Sequence, residues 1–291
     1  MADIQVKNAL ISAPRGTANI FRLKGPTINE QTIRKIARLV GMQADARSGM
    51  LCIDADTLTY SEQHLQLTLF RGSGAIRLID RSRWQIDDRR TDLDIADAEA
   101  RRLASALIRK NKLAPAAADS RLLKVSRLRV GAATRDGREV SERTIDVGVA
   151  FQRMIDKIPV DGPGGKIIVY LDQERRLSGV EKIWRELGAI YRRNQPHRPI
   201  EDALKEMDQH FRKKSGIIEI EEIRYGYFEE GWRETQRYIQ PAYIIFGMHA
   251  SHGNASQKRT IYVAPALVNP VGRLTPPLER KPRQRPRPQG R

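Results

Sequence analysis

The stretch that most limits what this chain can become is Ile155 to Asp172, which reads IDKIPVDGPGGKIIVYLD. A period-two run precedes it, with Val147, Val149 and Phe151 on one face and Met154 as a further candidate, and KIIVYLD follows it, rich in β-branched and aromatic residues. The residues between are turn chemistry. Pro159 fixes φ, Gly162-Pro163 punctuates, and Gly164-Gly165 supplies positive φ at little steric cost. The expectation is two antiparallel strands joined by a rigid loop. A second hairpin follows, because Asp172 to Arg175 breaks the apolar pattern and Leu177 to Trp184 resumes it.

On both sides the chain reads as helix followed by a meander of strands. Residues 1 to about 18 are expected to form an irregular arm with at most one short strand. Ile20 to Leu23 alternates as a strand, and Asn29 caps a helix whose stripe is Ile33, Ile36, Ala37 and Val40, with Gly41 at its C-terminal end. Short strands follow at Leu51–Asp54, Leu58–Tyr60, Leu65–Phe70 and Ala75–Ile79. The order then recurs. Asp94 is expected to cap a helix running to Lys110, and strands at Leu122–Ala132 and Glu139–Arg153 flank the hairpin signal Arg135-Asp136-Gly137. A third pass places Ile200, Ala203, Leu204, Met207 and Phe211 on one face of a helix that Gly216 ends, followed by strands at Ile218–Tyr227, Ile239–Met248 and Thr260–Ala266.

The fold class this predicts is α+β, built of repeated helix-plus-antiparallel-meander units: 1–90 with its arm, 91–195, and 196–275. Residues 276–291, PPLERKPRQRPRPQGR, cannot make a core and read as a disordered basic tail carrying Arg280, Lys281, Arg283, Arg285 and Arg287.

The second unit, with the helix Asp94–Lys110 and VGVAFQRMIDKIPVDGPGGKIIVYLDQERRLSGVEKIWREL at 147–187, resembles PepSY-type modules of peptidase propeptides and YpeB-type proteins. The resemblance implies a cystatin-like α+β module and a regulatory partner, a peptidase among the candidates. Such modules are commonly exported and attached to a peptidase. Neither a signal segment nor a full peptidase domain is expected from the sequence as written, so the resemblance implies action on a separate partner.

Charge sets the alternative. Against 35 Asp and Glu stand 52 Lys and Arg, giving +17 and a pI near 10.3. Without the tail, which carries six cations and one carboxylate, the remainder is still +12. A chain so basic favours polyanionic partners, nucleic acid foremost. Either partner fits a non-enzymatic binding protein, and no cofactor is implied.

The chemistry-bearing motifs are sparse. There is no GxSxG, and GPGGK at 162–166 lacks the P-loop spacing, although the amides of Gly164 and Gly165 with Lys166 could cradle an anion. His249 and His252 have a spacing that can share a metal but lack a neighbouring ligand, and no metal site is expected. His64, His197 and His210 are read as isolated and exposed. Asp54 with Asp56 and Asp87 with Asp88 are carboxylate pairs without a visible pocket. Cys52, the only cysteine, lies in the apolar run Met50–Ile53 and is expected to be a buried thiol.

Aromatic residues gather late, interleaved with arginine. From these and the glycine loop, Trp232, Arg233, Arg237, Tyr238, Tyr243 and Lys166 are the expected partner-binding residues. No window approaches the roughly 18 apolar residues of a membrane span, and the N-terminus lacks an apolar signal core. A cytoplasmic location is expected for the chain as written, and an extracytoplasmic one if a signal has been removed.

Overall fold

The computed structural model describes residues 2–11, 14, 16–45, 47–84, 92–114, 119–133, 140–212, 216–250, 257–272 and 274. In chain order these form β1 (Ala2–Ile11), β2 (Thr17–Leu23), α1 (Glu30–Leu39), β3 (Met50–Ile53), β4 (Thr57–Glu62), β5 (Leu65–Phe70), β6 (Ile76–Asp80) and α2 (Asp97–Lys110). Then come β7 (Ser120–Ala133), β8 (Val140–Ile155), β9 (Ile158–Asp161), β10 (Lys166–Leu171), β11 (Leu177–Ile183) and β12 (Leu187–Pro196). Last are α3 (Ile200–Phe211), β13 (Gly216–Phe228), β14 (Tyr238–Ile239), β15 (Pro241–Ala250) and β16 (Gln257–Pro265).

The α+β repeat is not what forms. Strand accounts for 53% and helix for 16%, with three α-helices among the described residues. The physical reason lies in how the meanders close. A helix-plus-meander unit would end its own sheet, but β11 pairs antiparallel with β6, from Lys182↔Ile76 to Gly179↔Ile79, and so joins two meanders edge to edge. Parallel pairing enters too, with β1 on β13 and Tyr227 and Phe228 of β13 on Val160 and Asp161 of β9. The arm expected at residues 1–18 is thus mostly strand.

The chain divides into two compact units, each assembled from separated segments rather than from consecutive thirds. The first comprises Met1–Ile20, Arg192–Gly226 and Gln240–Arg291. In it β16, β15 and β13 are neighbours in that order, and α3 buries Ala203, Met207 and Phe211. Gly216, expected to end this helix, opens β13 at φ +118° instead.

The second unit is Phe21–Tyr191 with Tyr227–Ile239. Its strands follow the order β8-β10-β11-β6-β5-β4-β3, with β7 running along β8. The central hairpin forms as its turn residues predict. Lys166↔Gln152 through Leu171↔Val147 pair antiparallel, and β9 is a short extra strand inside the connection. One face of this sheet takes α1, whose Ile33 and Ala37 pack with Leu58, Tyr60, Leu67 and Leu78. The same face takes α2, whose Ala100 and Ala104 pack with Val147, Val149, Val169 and Leu171. The Asn29 cap is present, its side chain accepting from the Thr32 amide at 2.9 Å. The cap expected at Asp94 is not. The helix begins at Asp97 after Ala96, which has no side-chain cap, and Asp97 and Glu99 in the first turn complement the dipole instead.

On the other face of the sheet lie the half-buried Tyr170, Glu181 and Arg77. Tyr170 is paired to Gly148 on one side and to Gly179 on the other, and a Cβ at either glycine would come within 3.1–3.2 Å of its ring. Two glycines therefore make the room in which this ring lies. Burial, reinforced by the charges of Glu181 and Asp146, pushes its hydroxyl up to about 12. Arg77 lies 3.5 Å from Glu181, whose carboxyl burial holds above its ordinary range against the pull of that guanidinium.

Candidate functional site

Five of the six side chains singled out on the folded part belong to the second unit, four of them on the loop Glu229–Arg237 and β14. What holds this loop is a buried ion network. Glu229 is completely buried, and Arg185 and Arg153 approach its carboxylate at 3.3 and 3.6 Å. Arg185 also donates to the carbonyls of Glu230 at 2.7 Å, Gly231 at 2.8 Å and Glu234 at 2.6 Å. The guanidinium of Arg153 donates to the Arg185 carbonyl at 2.7 Å and lies 5.2 Å from the Trp184 ring centre. Burial pushes Glu229 up and both arginines down, and their mutual attraction opposes each shift. The glycine loop closes the far side. The Gly164 amide donates to the Glu229 carbonyl at 2.9 Å, and a Cβ at Gly164 would lie 2.6 Å from Glu229 Cγ.

The expected residues divide as follows. Lys166 donates to the carbonyls of Gly162 and Gly164, which ties its ammonium to the turn. Trp232 is half-buried, packs on Phe70 with ring centres 5.3 Å apart, and has Arg77 at 5.9 Å. Arg233 and Arg237 are exposed. Tyr238 is half-buried against Tyr191, with ring centres 4.6 Å apart. Tyr243, in the first unit, is 1% exposed and donates to the Arg198 carbonyl at 2.8 Å, so it is a core residue. The tail residues Arg280, Lys281, Arg283, Arg285 and Arg287, together with His252, Asp87, Asp88 and the Arg135-Asp136-Gly137 turn, lie outside the described residues.

Around Tyr238 the sequence reading missed two partners. Tyr238 pairs across strands with Arg22 of β2, and Ile239 pairs with Phe21. Partners in register point to the same side. Phe21 and Ile239 enter the core beside Tyr227, so Arg22 and Tyr238 face outward. The Arg22 guanidinium sits 5.2 Å from the Tyr191 ring centre, and Tyr191 remains 37% exposed. Arg237, one residue before Tyr238, is tied to the same strand by its carbonyl, which accepts from the Leu23 amide at 2.9 Å. The result is an outward face of two tyrosines in contact with the Arg22 guanidinium beside them, and Arg237 is exposed next to β14. Nothing in the local sequence pairs Arg22 with Tyr191 or Tyr238. Only the general signal of aromatics interleaved with arginine pointed to one of the three.

Other candidates are corrected. Cys52 is exposed on β3, because that strand ends the sheet. His197 is not isolated: Nδ1 lies 2.9 Å from the Gly16 carbonyl and Nε2 lies 2.7 Å from the Tyr225 hydroxyl. Among the described residues no three His, Cys, Asp or Glu side chains converge as a metal site requires, and no helix is long and apolar enough to cross a membrane.

No family model matches the chain, and no curated protein matches it. Among solved structures, an uncharacterised protein from Eubacterium rectale superposes with a TM-score of 0.51 at 10% identity, covering 94% of this chain and 91% of that one. The two share a fold.

Proposed function

We propose that the chain is a non-enzymatic binding protein that takes a polyanionic partner on the outer face formed by Arg22, Tyr191 and Tyr238, with the exposed Arg237 nearby in sequence. The observation that carries this reading is the Arg22–Tyr191–Tyr238 cluster. Two tyrosine rings and a guanidinium are held together at a surface by strands whose opposite face is core. Such a cluster contributes little to the core and is well suited to contact a ligand. The net charge of +17 supplies the long-range attraction that draws a polyanion to it. The test is titration of the full chain with a labelled heparin fragment at rising salt. Affinity should fall steeply with salt and weaken further in Arg22→Ala with Arg237→Ala. Salt-insensitive binding unchanged by that pair would refute it.

The apolar edge strand β3 favours a second reading. Met50 is 69% and Ile53 is 61% exposed on the last strand of the order. A protein partner adding a strand there would bind in a salt-tolerant manner. Met50→Gln with Ile53→Gln should weaken such binding and leave heparin titration unchanged.

A further inference from the structure

We infer that the polyanion suited to the Arg22–Tyr191–Tyr238 face is single-stranded nucleic acid, its bases stacking on the tyrosines while Arg22 meets a phosphate. This rests on the reading just given and names the ligand class for the same face.

Three observations lead there. First, an acidic peptide or a sulfated sugar would satisfy the arginines but has no flat π surface to match two tyrosines whose centres lie 4.6 Å apart. Every nucleobase has such a surface, and stacking on aromatic side chains is tolerant of sequence. Second, the bases of a duplex hide their π faces in the stack, and groove readers insert a helix or a two-stranded ribbon. Here the rings sit on a sheet face, whose middle strand β2 has β12 on one side and β14 on the other. A flat surface suits splayed, unpaired bases. Third, cation and aromatic are already assembled. Arg22 is in register with Tyr238 and 5.2 Å from the Tyr191 centre, so phosphate and base contacts fall within one nucleotide's reach. Because the Arg185 network anchors Glu229–Glu234, the loop leading to Arg237 and Tyr238 is fixed before any ligand arrives, which spares ordering cost.

The experiment uses the full chain and fluorescence anisotropy with three probes: labelled oligo-dT, a duplex of the same length, and labelled poly-glutamate. Variants are Tyr191→Leu, Tyr238→Leu, Tyr191→Phe and Tyr238→Phe, each checked for folding by circular dichroism. The inference predicts that oligo-dT binds most tightly. Each Leu variant should weaken it roughly 5- to 150-fold, the loss of about one stacked base, while each Phe variant stays near the parent. If all three probes bind alike and the Leu variants change nothing, the polyanion reading stands and the single-strand inference is overturned. If none binds, both are overturned.

Discussion

Replacing Arg185 with methionine should release the loop that carries the proposed face. The side chain is 2% exposed and bonds one carboxylate and three carbonyls, at 3.3, 2.7, 2.8 and 2.6 Å. Methionine fills a similar volume but leaves Glu229, which has no exposure, with Arg153 at 3.6 Å as its ion-pair partner and the charge of the half-buried Lys182 also acting on it. Removing one partner of a buried ion pair costs about 3–5 kcal/mol. At ~2–4 °C per kcal/mol for a unit of this size, the melting temperature should fall by roughly 6–20 °C. The assay is thermal unfolding by circular dichroism, paired with brief trypsin digestion, in which cleavage after Arg233 and Arg237 should accelerate. A second variant adds Glu229→Gln to Arg185→Met. Neutralising the orphaned carboxylate should recover part of the loss, a coupling on the order of 0.5–3 kcal/mol. If Arg185→Met melts within about 3 °C of the parent, a shift of roughly 1 kcal/mol, the network does not hold the loop and the reasoning fails.

Other consequences can be checked with simpler variants. Gly165 sits at φ +69°, and a Cβ there would lie 2.4 Å from Val160 Cγ1, so Gly165→Ala should cost roughly 2–4 kcal/mol in urea unfolding, strain and overlap together. Burial would raise the Glu62 carboxyl, but the amides of Gln43 and Ala44 and the hydroxyls of Ser48 and Tyr60 outweigh it and hold it below its ordinary 4.5. A depressed pKa means this contribution to stability is complete above about 4.5 and lost as pH falls through the lower folded value. Glu62→Gln should therefore flatten the acid limb of the melting-temperature profile, and an unchanged limb would contradict the assignment. Cys52 should react fully with a thiol reagent in the native protein, whereas protection until denaturant is added would place it inside.

Much of the local structure was legible because it is written in short-range chemistry. Asn29 with Thr32 one turn on, the stripe of Ile33 and Ala37, and the Gly-Pro connection before Lys166 all act within a few residues. What escaped is long-range. The pairing of β1 with β13 and of β6 with β11 depends on sheet edges that local periodicity does not describe, so the joined sheet read as separate units. The bond between Arg185 and Glu229 spans 44 positions, and neither residue carries a mark distinguishing it from any other arginine or glutamate on a basic surface. Exposure failed for a related reason. Met50, Cys52 and Ile53 look like core, and only their position on the terminal strand leaves them open. The aromatic signal was real but mixed. Tyr225, Tyr227, Phe228 and Tyr243 are core, and Tyr238 faces outward because its register partner is Arg22.

The most direct test of the proposed face is ultraviolet crosslinking of the full chain to a single-stranded oligonucleotide, with the crosslinked residues located by mass spectrometry. The account predicts adducts on Tyr191 and Tyr238, competed away by unlabelled oligo-dT and not by an equal charge of poly-glutamate. Adducts confined to the 276–291 tail or to β3, with both tyrosines unmodified, would contradict it.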